Sequence, residues 1–138
     1  MINKNKLTDR ALSEEEEIYK ENILDYYKHP KNKKELNTKT KAHDKNTLCG
    51  DEITIYLKIK ANKIQEATFT GNGCAISQAS ASMLTEKLKG LTLKQAKAIS
   101  KDDILKMLGI PLSFMRTKCA LLSLKVLNKA LEESKWKN

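Results

Sequence analysis

The chain has little that would anchor it in a membrane, staple it with disulfides or let it grip nucleic acid. Hydrophobic residues make up 40% of its 138 positions, yet no apolar run approaches the roughly 20 residues that span a bilayer. The opening stretch MINKNKLTDR has no apolar core of the kind a secretory signal carries, so a cytoplasmic protein is expected. Three cysteines are an odd number that cannot all pair internally, and cytoplasmic thiols are ordinarily kept reduced. They are expected to bind metal or to react rather than to cross-link. Arginine occurs only as Arg10 and Arg116, and aromatic residues amount to 5%. The net charge of +9 is therefore almost all lysine, spread through every segment. It lacks the bidentate forks and stacking platforms that nucleic-acid readout favours. A lysine-solvated surface accounts for the charge better than a nucleic-acid interface does.

What is present reads as a flexible polar tail over 1–12 followed by a single domain over 13–138. Ser13 and Glu16 form a capping box, and the acidic run Glu14 to Glu17 suits a helix start. Tyr19, Ile23, Tyr26 and Tyr27 recur at helical spacing as one packing face, and His29-Pro30 ends the helix. A polar, lysine-rich connection follows. In EITIYLKIK, Ile53, Ile55, Leu57 and Ile59 face one way, while Thr54, Tyr56, Lys58 and Lys60 face the other. Ala61 to Lys63 makes the turn, and IQEATFT returns with Ala67 and Phe69 inward. After Gly73 the period becomes helical through Ile76, Ser80, Met83, Leu84 and Leu88, with Gly90 as the stop. Thr92 caps a short helix, Ser100 with Asp103 caps another that Gly109 and Pro111 close, and a last helix runs from about Ser113 into the 130s. Its apolar stripe includes Leu121, Leu124, Leu127 and Leu131. Strands first and helices after predict an α+β domain.

All three thiols fall at element ends, where loops gather on a scaffold. Cys49 precedes the long strand, Cys74 stands at a helix start, and Cys119 lies in the first turns of the last helix. A helix N-terminus favours thiolate over thiol, and Arg116 and Lys118 add positive charge near Cys119. Asp51, two residues past Cys49 across a glycine, can supply an oxygen donor. Three sulfurs and one carboxylate suit tetrahedral Zn²⁺, or make an incomplete thiolate set for an iron–sulfur cluster. Gly50, Gly71 and Gly73 would let backbone bend closely around either. Each feature alone is ordinary: a single buried cysteine is usually inert. His43 reads as exposed in a loop, and His29 as a helix-end residue.

Together these residues resemble the NifU N-terminal domain family, the IscU/SufU type of iron–sulfur cluster assembly protein. CGDEITIYLKI, GNGCAISQASASML and RTKCALLSLKVL match its three cysteine segments in order, and YKENILDYYKHPKN resembles its first helix with a Tyr-x-x-Pro-x-Asn end. The resemblance implies a small antiparallel sheet of about three strands packed against an N-terminal helix and several C-terminal helices, SufE/NifU-like. It also implies Cys49, Asp51, Cys74 and Cys119 as ligands of Zn²⁺, with Cys49 as sulfur acceptor and Arg116 steadying a leaving thiolate or an acidic partner group. The implied partners are a cysteine desulfurase of the SufS/IscS type, whose histidine would take the place of Cys49 on the zinc, and downstream scaffolds or apo-proteins. As an enzyme the chain would be at most a sulfurtransferase acting with that desulfurase. Lys118 before the third cysteine, Arg116 and GCAISQASASM resemble the SufU branch, in which zinc is held and sulfur accepted. The short stretch between Cys74 and Cys119 resembles the IscU branch, where a transient [2Fe–2S] cluster is built on the same residues. Asn46-Thr47 and Lys34 depart from the family's usual Asn-Pro and glycine. A basic nucleic-acid-binding protein with a structural zinc is the remaining alternative.

Overall fold

Residues 11–135 are described by a computed structural model of the chain, with side chains through Glu132. The tail expected over 1–12 falls outside the described residues apart from its last two positions. Helix α1 spans Glu14–Lys28 and carries the expected capping box, Ser13 Oγ accepting from the Glu16 amide while the Glu16 carboxylate takes the Ser13 amide. His29 is its C-cap. The Tyr-x-x-Pro-x-Asn end then docks: the Lys31 amide donates to Ser82 Oγ at 2.7 Å, and the Asn32 carbonyl accepts from the Phe69 amide at 2.9 Å. Of the helix's four expected packing residues, Ile23 is fully buried and Tyr26 donates to Glu86 at 2.8 Å, whereas Tyr27 stays exposed.

A three-stranded antiparallel meander follows, β1 Thr40–Asn46, β2 Asp51–Lys60 and β3 Lys63–Asn72, in that spatial order. The turn between β2 and β3 is two residues, Ala61 and Asn62, both at positive φ, which suits the right-handed twist of a tight hairpin. Ile53, Ile55 and Leu57 are buried with Ala67 and Phe69, as their alternation predicts. Tyr56 is buried too, against expectation, its hydroxyl 3.2 Å from Thr70 Oγ1.

Strand β1 lies in the segment read as a polar connection, and it places His43 in a strand opposite Thr54. TKAHDKN has no apolar alternation to betray it. Its order comes from outside: its backbone pairs with β2 from Thr40↔Leu57 to Asn46↔Asp51, and Lys125 and Lys129 of the last helix reach Asp44 at 3.2 and 3.5 Å.

Helix α2 (Ala75–Leu88) is buried along most of its length, its small residues letting neighbours approach closely. Helices α3 (Leu93–Lys97) and α4 (Lys101–Leu108) have the predicted caps at Thr92, Ser100 and Gly109. Helix α5 (Phe114–Lys135) lays Leu124, Leu127 and Leu131 into the core. No helix among the described residues is long and apolar enough to cross a membrane. The α+β arrangement expected from the sequence is the one observed.

Candidate metal centre

Four chain segments meet at one end of the sheet. The first is the turn 47–50, whose geometry is imposed by Asn46. The Asn46 carbonyl accepts from the Cys49 and Gly50 amides at 3.3 and 2.8 Å, and its side-chain Oδ1 accepts from the Leu48 amide at 3.1 Å. Gly50, at φ +73°, then turns the chain into β2 in a conformation that disfavours any side chain. Cys49 is thereby held half-buried at the rim.

Asp51, the first residue of β2, has no solvent exposure. Its Oδ1 accepts from the Cys74 amide at 2.8 Å, and its Oδ2 lies 4.0 Å from Cys74 Sγ. Burial of a carboxylate this close to β3 depends on Gly73. A Cβ there would collide with Asp51 Oδ1 and stand 2.9 Å from Ser77 Oγ, and the φ of +149° suits glycine alone.

Cys74 is the N-cap of α2. Its pKa is lowered from the ordinary 9.0 to about 6, chiefly because the Cys119 thiol donates to its sulfur, with the Ser77 amide and the Arg116 charge also favouring the thiolate. Burial and the Asp51 charge oppose this. Cys119 is fully buried, in the second turn of α5. Its Sγ lies 3.1 Å from Cys49 Sγ, seventy positions away in the chain. Its pKa is driven well above the thiol range, first by that bond to Cys74, then by burial and by contact with Asp51 and Cys49. Both shifts favour a thiolate at Cys74 over one at Cys119.

Donor atoms of Cys49, Asp51 and Cys119 all lie within 4.8 Å of one another. Cys74 stands just outside that group, at its 4.0 Å from Asp51. Ligands around a tetrahedral zinc sit roughly 3.3–3.8 Å apart, given Zn–S of about 2.3 Å and Zn–O of about 2.0 Å. Cys49, Asp51 and Cys119 are spaced near these values, and Cys74 Sγ reaches the same carboxylate at 4.0 Å. The chemistry fits as well: Asp51 is a buried carboxylate whose remaining neighbours are thiols, and such a group is costly unless paired or coordinated.

Arg116, one turn before Cys119 on α5, is half-buried and near enough for its charge to act on Cys74. Lys118 points elsewhere than the sequence suggested, its Nζ 4.8 Å from the centre of the Phe114 ring. Asn46 is the site residue that sequence reasoning missed. Besides holding the Cys49 turn, its Nδ2 faces Cys119 Sγ at 3.9 Å. Its adjacency to the CGD segment was the only available signal.

Known proteins are similar to this chain over most of its length. The family model described as the NifU-like N-terminal domain matches residues 18–138. The zinc-dependent sulfurtransferase SufU of Bacillus subtilis is 34% identical, over 88% of this chain and 94% of its own. The iron–sulfur cluster assembly scaffold protein IscU of Thermotoga maritima is 35% identical, over 84% of this chain and 94% of its own. Among solved structures, a Fervidobacterium islandicum protein, assigned as a SUF-system scaffold for iron–sulfur cluster assembly, superposes with a TM-score of 0.68 at 33% identity, covering 83% and 97% of the two chains. The N-terminal part of a NifU-like protein from Brucella abortus shares the fold, at a TM-score of 0.73 and 21% identity over 91% and 100%.

Proposed function

This chain belongs to the NifU-like N-terminal domain family, and we propose that it is an iron–sulfur cluster assembly protein that accepts sulfur from a cysteine desulfurase at a zinc-bearing site. The observation that carries this is the convergence of Cys49, Asp51 and Cys119 within 4.8 Å, with Cys74 alongside at the α2 N-cap. The relative from Bacillus subtilis bears a name with both zinc and sulfur transfer in it.

Cys49, Asp51, Cys74 and Cys119 would hold the zinc, which when bound keeps the sulfurs deprotonated. The chain's own residues divide the remaining work. Cys49 is the acceptor: it sits half-buried on a turn, whereas Cys119 is buried in a helix and Cys74, also half-buried, is tied to Asp51 through its amide at the α2 N-cap. Its thiolate attacks the terminal sulfur of the donor's persulfide. A new S–S bond forms to Cys49, the donor's S–S bond breaks, and the electron pair leaves with the donor cysteine as a thiolate. Arg116 would stabilise that departing charge. Cys74 and Asp51, tied together by the 2.8 Å hydrogen bond from the Cys74 amide to Asp51 Oδ1, stay as the fixed wall. Downstream scaffolds or apo-proteins then take the sulfur from Cys49.

A second reading, an IscU-type scaffold for a [2Fe–2S] cluster on the same residues, is favoured by the similarity to the Thermotoga maritima scaffold. Asp51 would then weaken iron binding relative to a fourth thiolate. Incubation of the zinc-loaded protein with a cysteine desulfurase and cysteine, followed by intact-mass analysis, separates the two. We expect the mass of one added sulfur atom on wild type and none on Cys49→Ala. A colourless protein that never gains sulfur, but turns brown on anaerobic reconstitution, would overturn the acceptor reading in favour of the scaffold.

A further inference from the structure

A groove of about 560 Å³ opens beside the metal centre, between the end of β1, the Cys49 turn and α5. Its walls are Lys45 to Leu48 on one side, Lys101 of α4 at one end and the α5 face from Lys118 to Asn128 on the other. Four lysines stand around it, at 45, 101, 118 and 125, over leucines at 48, 121, 122 and 124, and among the described residues no carboxylate lines it. Lys125 is already paired with Asp44 at 3.2 Å and Asp103 accepts from the Ser100 amide, so the groove's positive charge rests chiefly on Lys45, Lys101 and Lys118. Leu48, 68% exposed, overhangs the groove directly before Cys49, and Lys118 directly precedes Cys119. A basic rim over an apolar floor is complementary to an acidic segment with an apolar anchor. Nucleic acid fits less well, since among the described residues neither arginine nor an aromatic residue lines the groove.

We propose that this groove is the docking site for an acidic, leucine-anchored segment of the protein that donates sulfur to Cys49. The inference rests on the sulfur-acceptor reading, which requires a donor held within bonding distance of the rim thiol. An acidic segment lying between Lys45 and Lys118 would bring the donor's surface over Cys49, and the chain's charge of +9 would speed the encounter.

The test uses the zinc-loaded full chain, a cysteine desulfurase that transfers sulfur to it, and two charge-matched variants. Lys101→Glu reverses a charge in the groove at the first residue of α4, where an acidic side chain favours the helix. Lys60→Glu makes the same change at the far end of β2, nine residues or about 30 Å from Asp51, opposite Lys63. At low salt we expect Lys101→Glu to raise the acceptor's KM about tenfold with kcat unchanged, and Lys60→Glu to change it less than about twofold. The gap should narrow as ionic strength rises. Sulfur uptake by Cys49 from glutathione persulfide, which needs no docking, should be equal in all three proteins.

Equal KM values for the two variants would overturn the docking site while leaving sulfur acceptance intact. Loss of uptake from glutathione persulfide in Lys101→Glu would also overturn it, because Lys101 would then be acting on the centre itself. Binding of a duplex oligonucleotide that only Lys101→Glu abolishes, with KM unmoved, would assign the groove to nucleic acid instead. Failure of the wild type to take sulfur from any desulfurase would remove the acceptor reading and the docking site together.

Discussion

A carboxylate sealed from solvent beside three thiols, as Asp51 is, makes the neighbouring sulfurs sensitive to charge. Cys74 is pulled both ways, since the Asp51 charge opposes its thiolate. Its thiolate is favoured by the Cys119 thiol that donates to it, and its pKa falls to about 6. A group whose folded pKa lies below the ordinary 9.0 binds its proton less tightly than the unfolded chain does, so its contribution to stability is complete above 9.0 and lost as pH falls through 6. Metal-free protein should therefore melt at progressively higher temperature from pH 6 to pH 9, and site-mapped alkylation should find Cys74 half-reacted near pH 6 and Cys119 last. A flat melting profile, or Cys119 reacting first, would contradict this. The thiols were readable from the chain because cysteine is scarce in it and each one falls at an element end. Asn46 was not, because its work is divided between a carbonyl and an amide whose partners appear only once β1 has paired with β2.

At the scale of elements, the centre depends on how α5 is seated on α2, since Cys119 and Cys74 ride on those two helices. The seat is polar. Ser80 Oγ donates to the Ala120 carbonyl at 2.8 Å and lies 2.8 Å from Ser123 Oγ, all fully buried. Ser80→Ala removes both contacts and leaves Ser123 a partner short, which should cost about 1–2 kcal/mol. In a domain of this size that lowers Tm by roughly 3–8 °C, measurable by calorimetry on metal-free protein. An unchanged Tm would mean that the helices are seated by their apolar contacts alone. Periodicity and caps made the hairpin and all five helices visible beforehand. Ser80 falls on the packing period of its helix in the sequence, but nothing local marks a serine whose hydroxyl will bond to a helix forty positions away. The same limit hid β1, which is ordered by pairing and by lysines on α5 rather than by its own pattern.

For the molecule as a whole, the fold can be described as a device for bringing distant segments to one corner. The meander delivers Cys49 and Asp51 at the turn that joins β1 to β2, β3 returns to the same end to start α2 at Cys74, and α5 crosses β1 and β2 with Cys119 in its second turn. The lysine excess, diffuse along the chain, gathers around a groove at that corner only once the fold is formed, which is why composition alone could not locate it. Because the unfolded chain scatters the donors, any metal that binds all four stabilises the folded state in proportion to its affinity. The central claim is that Cys49, Asp51, Cys74 and Cys119 close on a single zinc. X-ray absorption at the zinc edge of the purified protein measures this directly. One zinc per chain with a shell of three sulfurs and one oxygen is the predicted result; a shell without sulfur, or a protein that retains no zinc at micromolar free metal, would contradict it.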